Sequence, residues 1–375
     1  MKIATFNLEN LFHRDEKLVR RTYSLAKTNW VQEMEELMRK TARGMKDLDR
    51  MRELSEMIDL QDPDSEPYFV MRKKEGKLYL RQREATPQFK ASGLTGWNGW
   101  IQVSTRPILD QATDNKASVI NEINPDILLV QEVEDRQSLL EFNEDCLPDQ
   151  VRFTDVMVIP GNNDQGLEMG IMTKNGYKIK SVISHVNDFS DQKRFFDKDF
   201  QEYEILTPEG ETLWILAAHL QGAGPDKEES KPIRKRQANI IASAYKKLQE
   251  KGFQNIILAG TLNASSYCDS LSPLVQRTDL VDVKVHPSFN VSLDEGADAD
   301  YYSLGAYRMG INTRQHDYLM LSPSVFKALK KSGINRKGVW PKKEGQYRVF
   351  PNMKTEIHQA SSHPLLWVDF DREKF

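Results

Sequence analysis

Sulfur is scarce in this sequence: Cys146 and Cys268 are the only cysteines among 375 residues. Two thiols are too few for a zinc–thiolate cluster, and they read as reduced side chains in a reducing compartment. Long apolar runs are missing too. Stretches such as Ile127 to Val130 and Ile256 to Ala259 fall far short of the roughly 20 residues that span a bilayer. Met1 to Asn7 holds no apolar leader stretch, so no signal peptide is expected. The expectation is a soluble, cytoplasmic protein without membrane contact. Charge of one sign is also lacking, with 52 basic against 55 acidic residues and a formal net charge of −3. No global field draws such a molecule to a polyanion, so any such attraction must be local. There is no internal repeat and no low-complexity tract. What the chain does have is length and 39% hydrophobic residues, enough for a large core in one α/β sandwich or in two domains.

Lys2 to Phe6 reads as a short strand. From about Lys17 to Leu60, Leu37, Met45, Leu48, Met51, Leu54, Met57 and Ile58 recur at three- and four-residue steps, the spacing of a helix. Asp62-Pro63 stops it. Tyr68 to Gln82 alternates around Glu75-Gly76-Lys77 and predicts a β-hairpin. Thr86 to Gly99 is loop-like. A helix over 110–123 precedes Pro125. Strands are expected near 126–131, 151–159, 166–173, 179–185, 202–206, 213–218, 255–259, 318–321 and 364–370. Pro232 opens a helix with one apolar stripe through Ile240, Ile241, Ala244, Tyr245 and Leu248, closed by Gly252. Such mixing of strands and helices, without strict βαβ repetition, predicts two packed sheets flanked by helices. Residues 13–106 read as an insertion, a helical arm plus hairpin, within a single domain spanning 1–375. The Leu/Met stripe of the arm would pack on the sandwich or on a partner copy, which makes self-association an expectation.

Polar residues recur where apolar runs begin or end. Asn7 and Glu9 follow the first strand, and Glu132 follows Asp126-Ile127-Leu128-Leu129-Val130-Gln131. His219 follows Trp214-Ile215-Leu216-Ala217-Ala218, and Asn263 follows Ile256-Ile257-Leu258-Ala259-Gly260. Asp317 precedes Tyr318-Leu319-Met320-Leu321, and His363 precedes Leu365-Leu366-Trp367-Val368. These groups meet only if one edge of a sandwich gathers them. Carboxylates and amides suit a hard divalent cation, and with the imidazoles they suit phosphoryl chemistry: a cation to neutralise oxygens, a base for water, and donors for developing charge.

In that order the chain resembles the endonuclease/exonuclease/phosphatase family, whose best-known members are DNase I-like enzymes. The stretches that carry the resemblance are 5–12, 125–133, 161–164, 166–172, 218–220, 258–263, 316–322 and 360–364. The resemblance implies a four-layer αββα sandwich and a phosphodiester hydrolase, a nuclease before a small-molecule phosphatase, dependent on Mg²⁺ or Mn²⁺. It implies that Glu132, Asn7, Glu9 and the Ser362 position face the metal. It further implies that Asn263 holds water or a phosphate oxygen, that Asp317 orients His363 onto the phosphate, and that His219 stabilises phosphoryl charge.

Two positions depart from the family pattern. Gly260-Thr261-Leu262-Asn263 and Ser361-Ser362-His363 place hydroxyls where the family has aspartates. A hydroxyl near pH 7 accepts no proton as a carboxylate does. Thr261 and Ser362 therefore leave open a second expectation, a non-catalytic member that binds nucleic acid or a protein. Local basic segments fit a nucleic-acid partner. They are Arg72 to Arg83 in the hairpin, Lys231 to Arg236 at the opening of the long helix, and Lys327 to Lys343. Trp97 and Trp100 are candidates to stack a base or to pack on the core.

Overall fold

The computed structural model of the protein describes residues 1–11, 25–40, 42–60, 68–73, 99–104, 110–163, 167–190, 193–222, 227–290, 315–341 and 346–371. The chain begins with β1 (Lys2–Leu11). The arm follows as two helices, α1 (Leu25–Arg39) and α2 (Met45–Met57), and two strands, β2 (Tyr68–Lys73) and β3 (Gly99–Ser104). The body continues with α3 (Asp110–Ile123), β4 (Ile127–Val133), α4 (Arg136–Glu141), β5 (Asp155–Ile159), β6 (Glu168–Thr173) and β7 (Lys178–Ser184). A two-residue ribbon, β8 (Phe189–Ser190) with β9 (Lys193–Arg194), leads to β10 (Asp199–Leu206), β11 (Thr212–His219), α5 (Lys227–Glu250), β12 (Ile256–Thr261) and α6 (Ser272–Arg277). The last part comprises β13 (Val281–Asp282), β14 (Phe289–Asn290), β15 (Asp317–Leu321), α7 (Pro323–Lys327), β16 (Leu329–Asn335) and β17 (Leu365–Phe370).

Two mixed sheets result. One runs β14-β16-β17-β1-β4-β6-β5, the other β13-β15-β12-β11-β10-β7. Central strands such as β4, β11 and β12 are apolar on both faces because both faces are covered. Strand β11 shows the sorting: Leu213, Ile215 and Ala217 join a core between the sheets, with Ile3, Ile127, Leu129 and Ile257. Trp214, Leu216 and Ala218 join a second core under α5 and α6, with Ile241, Tyr245 and Leu274. A third core on the far face of the seven-stranded sheet joins Leu128 and Val130 to Ile120 of α3 and Leu139 of α4. Three stacked cores make four layers, helix, sheet, sheet and helix, as expected for an αββα sandwich.

The arm departs from the sequence reading in three ways. Its helical stretch is two helices, with Gly44 as the N-cap of α2. Strand β2 pairs with β3, Tyr68 opposite Ser104 and Lys73 opposite Gly99, a pairing the sequence reading did not foresee. Residues 74–98, which include Lys77 and Trp97, lie outside the described residues. The Leu/Met stripe faces inward upon itself: Met34, Leu37, Met51, Leu54 and Ile58 form one core with Ile101 of β3, and buried Glu35 accepts the Ile101 N–H at 3.1 Å.

Elsewhere α5 starts five residues before Pro232, which sits inside it. Lys227 to Lys231 are mostly good helix formers and carry the helix back past the proline, which removes one backbone donor and crowds the carbonyl four residues earlier. Gly252 closes the helix at φ 92° as read, with the Phe253 N–H reaching the Leu248 carbonyl, a left-handed cap. Strand β16 was not foreseen. Its sequence Leu-Lys-Lys-Ser-Gly-Ile-Asn has no clean alternation, and it forms because it pairs with β17.

Candidate active site

Sheet register gathers the site. In the six-stranded sheet, His219 lies opposite Thr261 across β11 and β12, and Thr261 lies opposite Asp317 across β12 and β15. All three continue the inward-facing series, since Ala217, Ala259 and Leu319 two residues away belong to the core between the sheets. In the other sheet, Asn7 lies opposite Gln131 across β1 and β4 and also continues an inward series. One rim of the sandwich therefore carries polar groups from five strands.

Hydrogen bonds join the two sheets there. The Asn7 amide donates to Glu132 Oε1 at 3.1 Å and to the Thr261 hydroxyl at 3.2 Å. Thr261 donates to Asp317 Oδ1 at 2.7 Å, and Asp317 Oδ2 accepts from His363 Nδ1 at 2.7 Å. The result is an unbroken chain Glu132–Asn7–Thr261–Asp317–His363. Thr261 is fully buried and satisfied on both sides. His219 Nε2 stands 3.7 Å from Glu132 Oε1, and its Nδ1 is buried without a hydrogen bond.

The carboxylates come from kinks in the strands. Glu9 and Glu132 hold positive φ, 48° and 60°, as does Asn263 at 53°. Non-glycine residues rarely adopt this conformation, and it concentrates where side chains are aimed for function. The pairing of β1 with β4 slips after Asn7, and that of β4 with β6 slips at Glu132. These bulges turn Glu9 and Glu132 out of strict alternation. The Glu9 N–H donates to Asn7 Oδ1 at 2.9 Å, and Glu9 Oε2 accepts the Ser362 N–H at 2.6 Å. Ser361 donates to the Asn7 carbonyl at 2.8 Å and accepts the His363 N–H at 3.0 Å, which fixes the His363 loop. Asn263 donates to the Leu220 carbonyl at 2.9 Å.

The two histidines are driven apart. Burial alone would lower His363, but the charge and hydrogen bond of Asp317, with Glu132 and Glu9 behind, carry it up to about 9. Burial drives His219 well below its ordinary value, and the positive charges of Lys198 and His363 add to that. At neutral pH one imidazole is a cation and the other neutral, the separation expected of groups with different roles. Burial raises the Glu132 carboxyl, against the Asn7 hydrogen bond and the charges of His363 and Lys198.

The structure thus brings Asn7, Glu9, Glu132, His219, Thr261, Asp317, Ser362 and His363 to one rim, with Asn263 two residues beyond Thr261. Ser362 contributes its N–H to Glu9, while its side chain is exposed. Among the described residues, no group of three or more His, Cys, Asp or Glu side chains is arranged to hold a metal ion. Glu132 and Glu9 are the carboxylates available, with Asn7 between them. Two lysines escaped the sequence reading. Lys198, ahead of β10, is close enough to affect both Glu132 and His219. Lys116 of α3 is buried, donates to the Ala360 carbonyl, and is lowered by burial to about 8 against the pull of Glu9. Neither stands in a recognisable motif, and only the folded chain brings them near.

The basic segments fare unevenly. Arg234 is buried and donates to the Gln221 carbonyl at 2.9 Å, and Lys235 pairs with Asp269 at 2.7 Å. The opening of α5 is therefore partly structural. Lys337 pairs with Glu122 at 2.8 Å, and Arg336 lies over the Tyr347 ring. In the arm, Arg72 and Lys73 lie in β2, and Lys74 to Arg83 lie outside the described residues. Among the described residues no helix is long and apolar enough to cross a membrane.

No protein-family model matches the chain, and no curated protein matches it either. Several solved structures are similar. One is an endonuclease/exonuclease/phosphatase family protein from Bacteroides thetaiotaomicron, at 17% identity and TM-score 0.47, covering 70% of this chain and 88% of that one. A second is a mannosyl-6-phosphatase from Bacteroides thetaiotaomicron VPI-5482, at 17% identity and TM-score 0.49, covering 70% and 91%. A third is truncated TDP2 from Caenorhabditis elegans, at 15% identity and TM-score 0.44, covering 70% and 91%.

Proposed function

We propose that this chain is a phosphoesterase of the endonuclease/exonuclease/phosphatase type, dependent on Mg²⁺ or Mn²⁺, that cleaves phosphodiesters of nucleic acid. The observation that supports it is the meeting of Glu132, Glu9, Asn7, His219, Asp317 and His363 at one rim, joined across both sheets by hydrogen bonds. The donor set fits a hard cation. Glu132 is a half-buried carboxylate whose charge is disfavoured by desolvation, Glu9 stands beside it, and magnesium is commonly held by one or two carboxylates with waters. Glu132 and Glu9 would hold the cation, with Asn7 bracing Glu132, and the cation would neutralise phosphoryl charge when bound.

The remaining roles belong to the chain itself. Asp317 engages His363 Nδ1, which leaves the other ring nitrogen of an imidazolium for a phosphoryl oxygen. His219, held neutral, accepts a hydrogen bond or a proton. Asn263 uses its amide N–H on Leu220 and retains its carbonyl oxygen to orient water. Lys198 adds positive charge where the phosphate would sit.

The missing carboxylate at Thr261 favours a second reading, a non-catalytic member that binds nucleic acid or a protein through the same rim. Cleavage of bis(4-nitrophenyl) phosphate, plasmid and single strands in Mn²⁺ or Mg²⁺, beside the Glu132→Gln variant, separates the two. Turnover that Glu132→Gln abolishes is expected. Equal rates in both proteins would leave the binding reading. Cleavage of monoesters alone would assign a small-molecule phosphatase.

A further inference from the structure

A second pocket lies on the opposite face of the six-stranded sheet. Strand β7 is the last strand of that sheet, and its residues are exposed or only half-buried along its length. Helix α5 covers the sheet interior but leaves a cleft of about 480 Å³ along this edge, within the size range of small-molecule sites. Glu202, on its lining, lies opposite Leu216 of the outer core, whereas His219 continues the inner series. The cleft and the candidate active site therefore open on different faces.

Its walls are of two kinds. Ile240, Ala244 and Leu248 of α5 face Ile183 and Phe195, and Ile183 is 47% exposed. Around this apolar body stand Arg236 and Lys247 of α5 and Lys251 just past its end. Among the described residues, none of these three cations has a carboxylate within salt-bridge distance, and the Arg236 guanidinium lies over the Phe195 ring instead. The two acids of the lining are already engaged. Asp188 and Glu202 clamp His185 at 2.6 and 2.8 Å, and the imidazole stacks on Phe200 at 4.5 Å. An apolar cleft whose three cations outnumber its two acids, both of them turned onto His185, is complementary to an anion on an apolar body.

We propose that this cleft binds a small amphipathic anion, its apolar body between α5 and β7 and its acidic head at Lys247, Lys251 and Arg236. The site is independent of the phosphoesterase reading. A neutral hydrocarbon would leave the cations unused, and a bare phosphate would leave the apolar walls wet.

The test uses the full chain, with fluorescence of anilinonaphthalene sulfonate as probe and decanoate as competitor. Saturable binding displaced by decanoate is expected, with decanol, the neutral analogue, at least about tenfold weaker. Ser243→Trp, an exposed α5 position on the cleft, should weaken the probe about tenfold or more by filling the space. Lys247→Gln with Lys251→Gln should weaken it several-fold and flatten its salt dependence. Glu132→Gln should bind as the wild type. Absence of saturable binding, wild-type affinity in both cleft variants, decanol as effective as decanoate, loss of binding in Glu132→Gln, or displacement by an oligonucleotide but not by decanoate would each overturn the proposal.

Discussion

Thr261 is the residue on which the chemistry of the rim turns. Its hydroxyl donates a hydrogen bond to Asp317 at 2.7 Å and accepts one from Asn7 at 3.2 Å, so a neutral group completes a network that would otherwise join like charges. An aspartate in its place would face Asp317 at hydrogen-bond distance, and one carboxylate would have to take up a proton or a cation. Thr261→Asp should therefore melt below the wild type at pH 8 without divalent ions, with the gap closing as the pH falls toward 4. Mn²⁺ should raise its melting temperature by several degrees more than that of the wild type. An equal response in the two proteins would mean that the rim does not gather cation ligands. His185 offers a separate pH signature. Burial opposes its charge, but Glu202 and Asp188 prevail and raise its pKa. The folded state then binds the proton more tightly than the unfolded one. The stabilisation is complete below about pH 6.5, the value in the unfolded chain, and is lost as the pH climbs through the raised folded value. His185→Gln should be less stable than the wild type near pH 6, and denaturant melts should show the two converging as the pH rises. A constant difference would show that the clamp does not titrate.

At the scale of elements, what the sequence made legible was the apolar run with a polar end. Ile256 to Ala259 could only be a buried strand, so Asn263, and with it Thr261, could be placed at its exit. The same holds for Glu132 and His219. What stayed hidden was conformation. Nothing in a period-two pattern says that Glu9 and Glu132 take positive φ or that β1 and β4 bulge there, because that geometry is set by pairing with neighbours remote in sequence. Strand β16, with two lysines and a glycine in seven residues, stayed hidden for the same reason. Lys198 and Lys116 were illegible because each approaches the rim from an element with no motif of its own. Gly260 tests how tightly the rim is built. It sits at φ 132°, and a Cβ there would lie 2.1 Å from the Ala218 carbonyl oxygen. Gly260→Ala should cost about 2–4 kcal/mol in urea unfolding, from strain and a pried strand pair together. Gly210→Ala is the control, since its φ is 89° with nothing within 4 Å, and it should cost only about 1 kcal/mol. Equal losses would mean that β11 and β12 are not pressed together ahead of Thr261.

The whole molecule holds its apolar residues in separate cores, and this governs how damage spreads. The three cores of the sandwich share strands: β11 feeds the inner and outer cores by alternate residues, and β4 feeds two in the same way. The fourth core belongs to the arm alone, built from α1, α2, the turn after α2 and β3. Because its Leu/Met face is occupied in this way, the described part of α1 and α2 leaves Met45, 69% exposed, as its one large exposed apolar residue. Truncating a side chain should loosen whatever unit shares its core. Leu54→Ala removes a fully buried side chain of the arm and should cost that unit about 2–5 kcal/mol, enough to open a core of this size. Leu258→Ala, equally buried under α5, should cost a similar amount to the sandwich. Limited proteolysis distinguishes the units by where cutting begins. In Leu54→Ala, early cuts should fall within residues 25–104, and fragments from 110 onward should resist as they do in the wild type. In Leu258→Ala the order should reverse, with β11, β12 and α5 becoming accessible first. If Leu54→Ala instead releases cuts throughout the sandwich, the two units unfold as one, and the arm is a structural brace of the polar rim rather than an appendage to it.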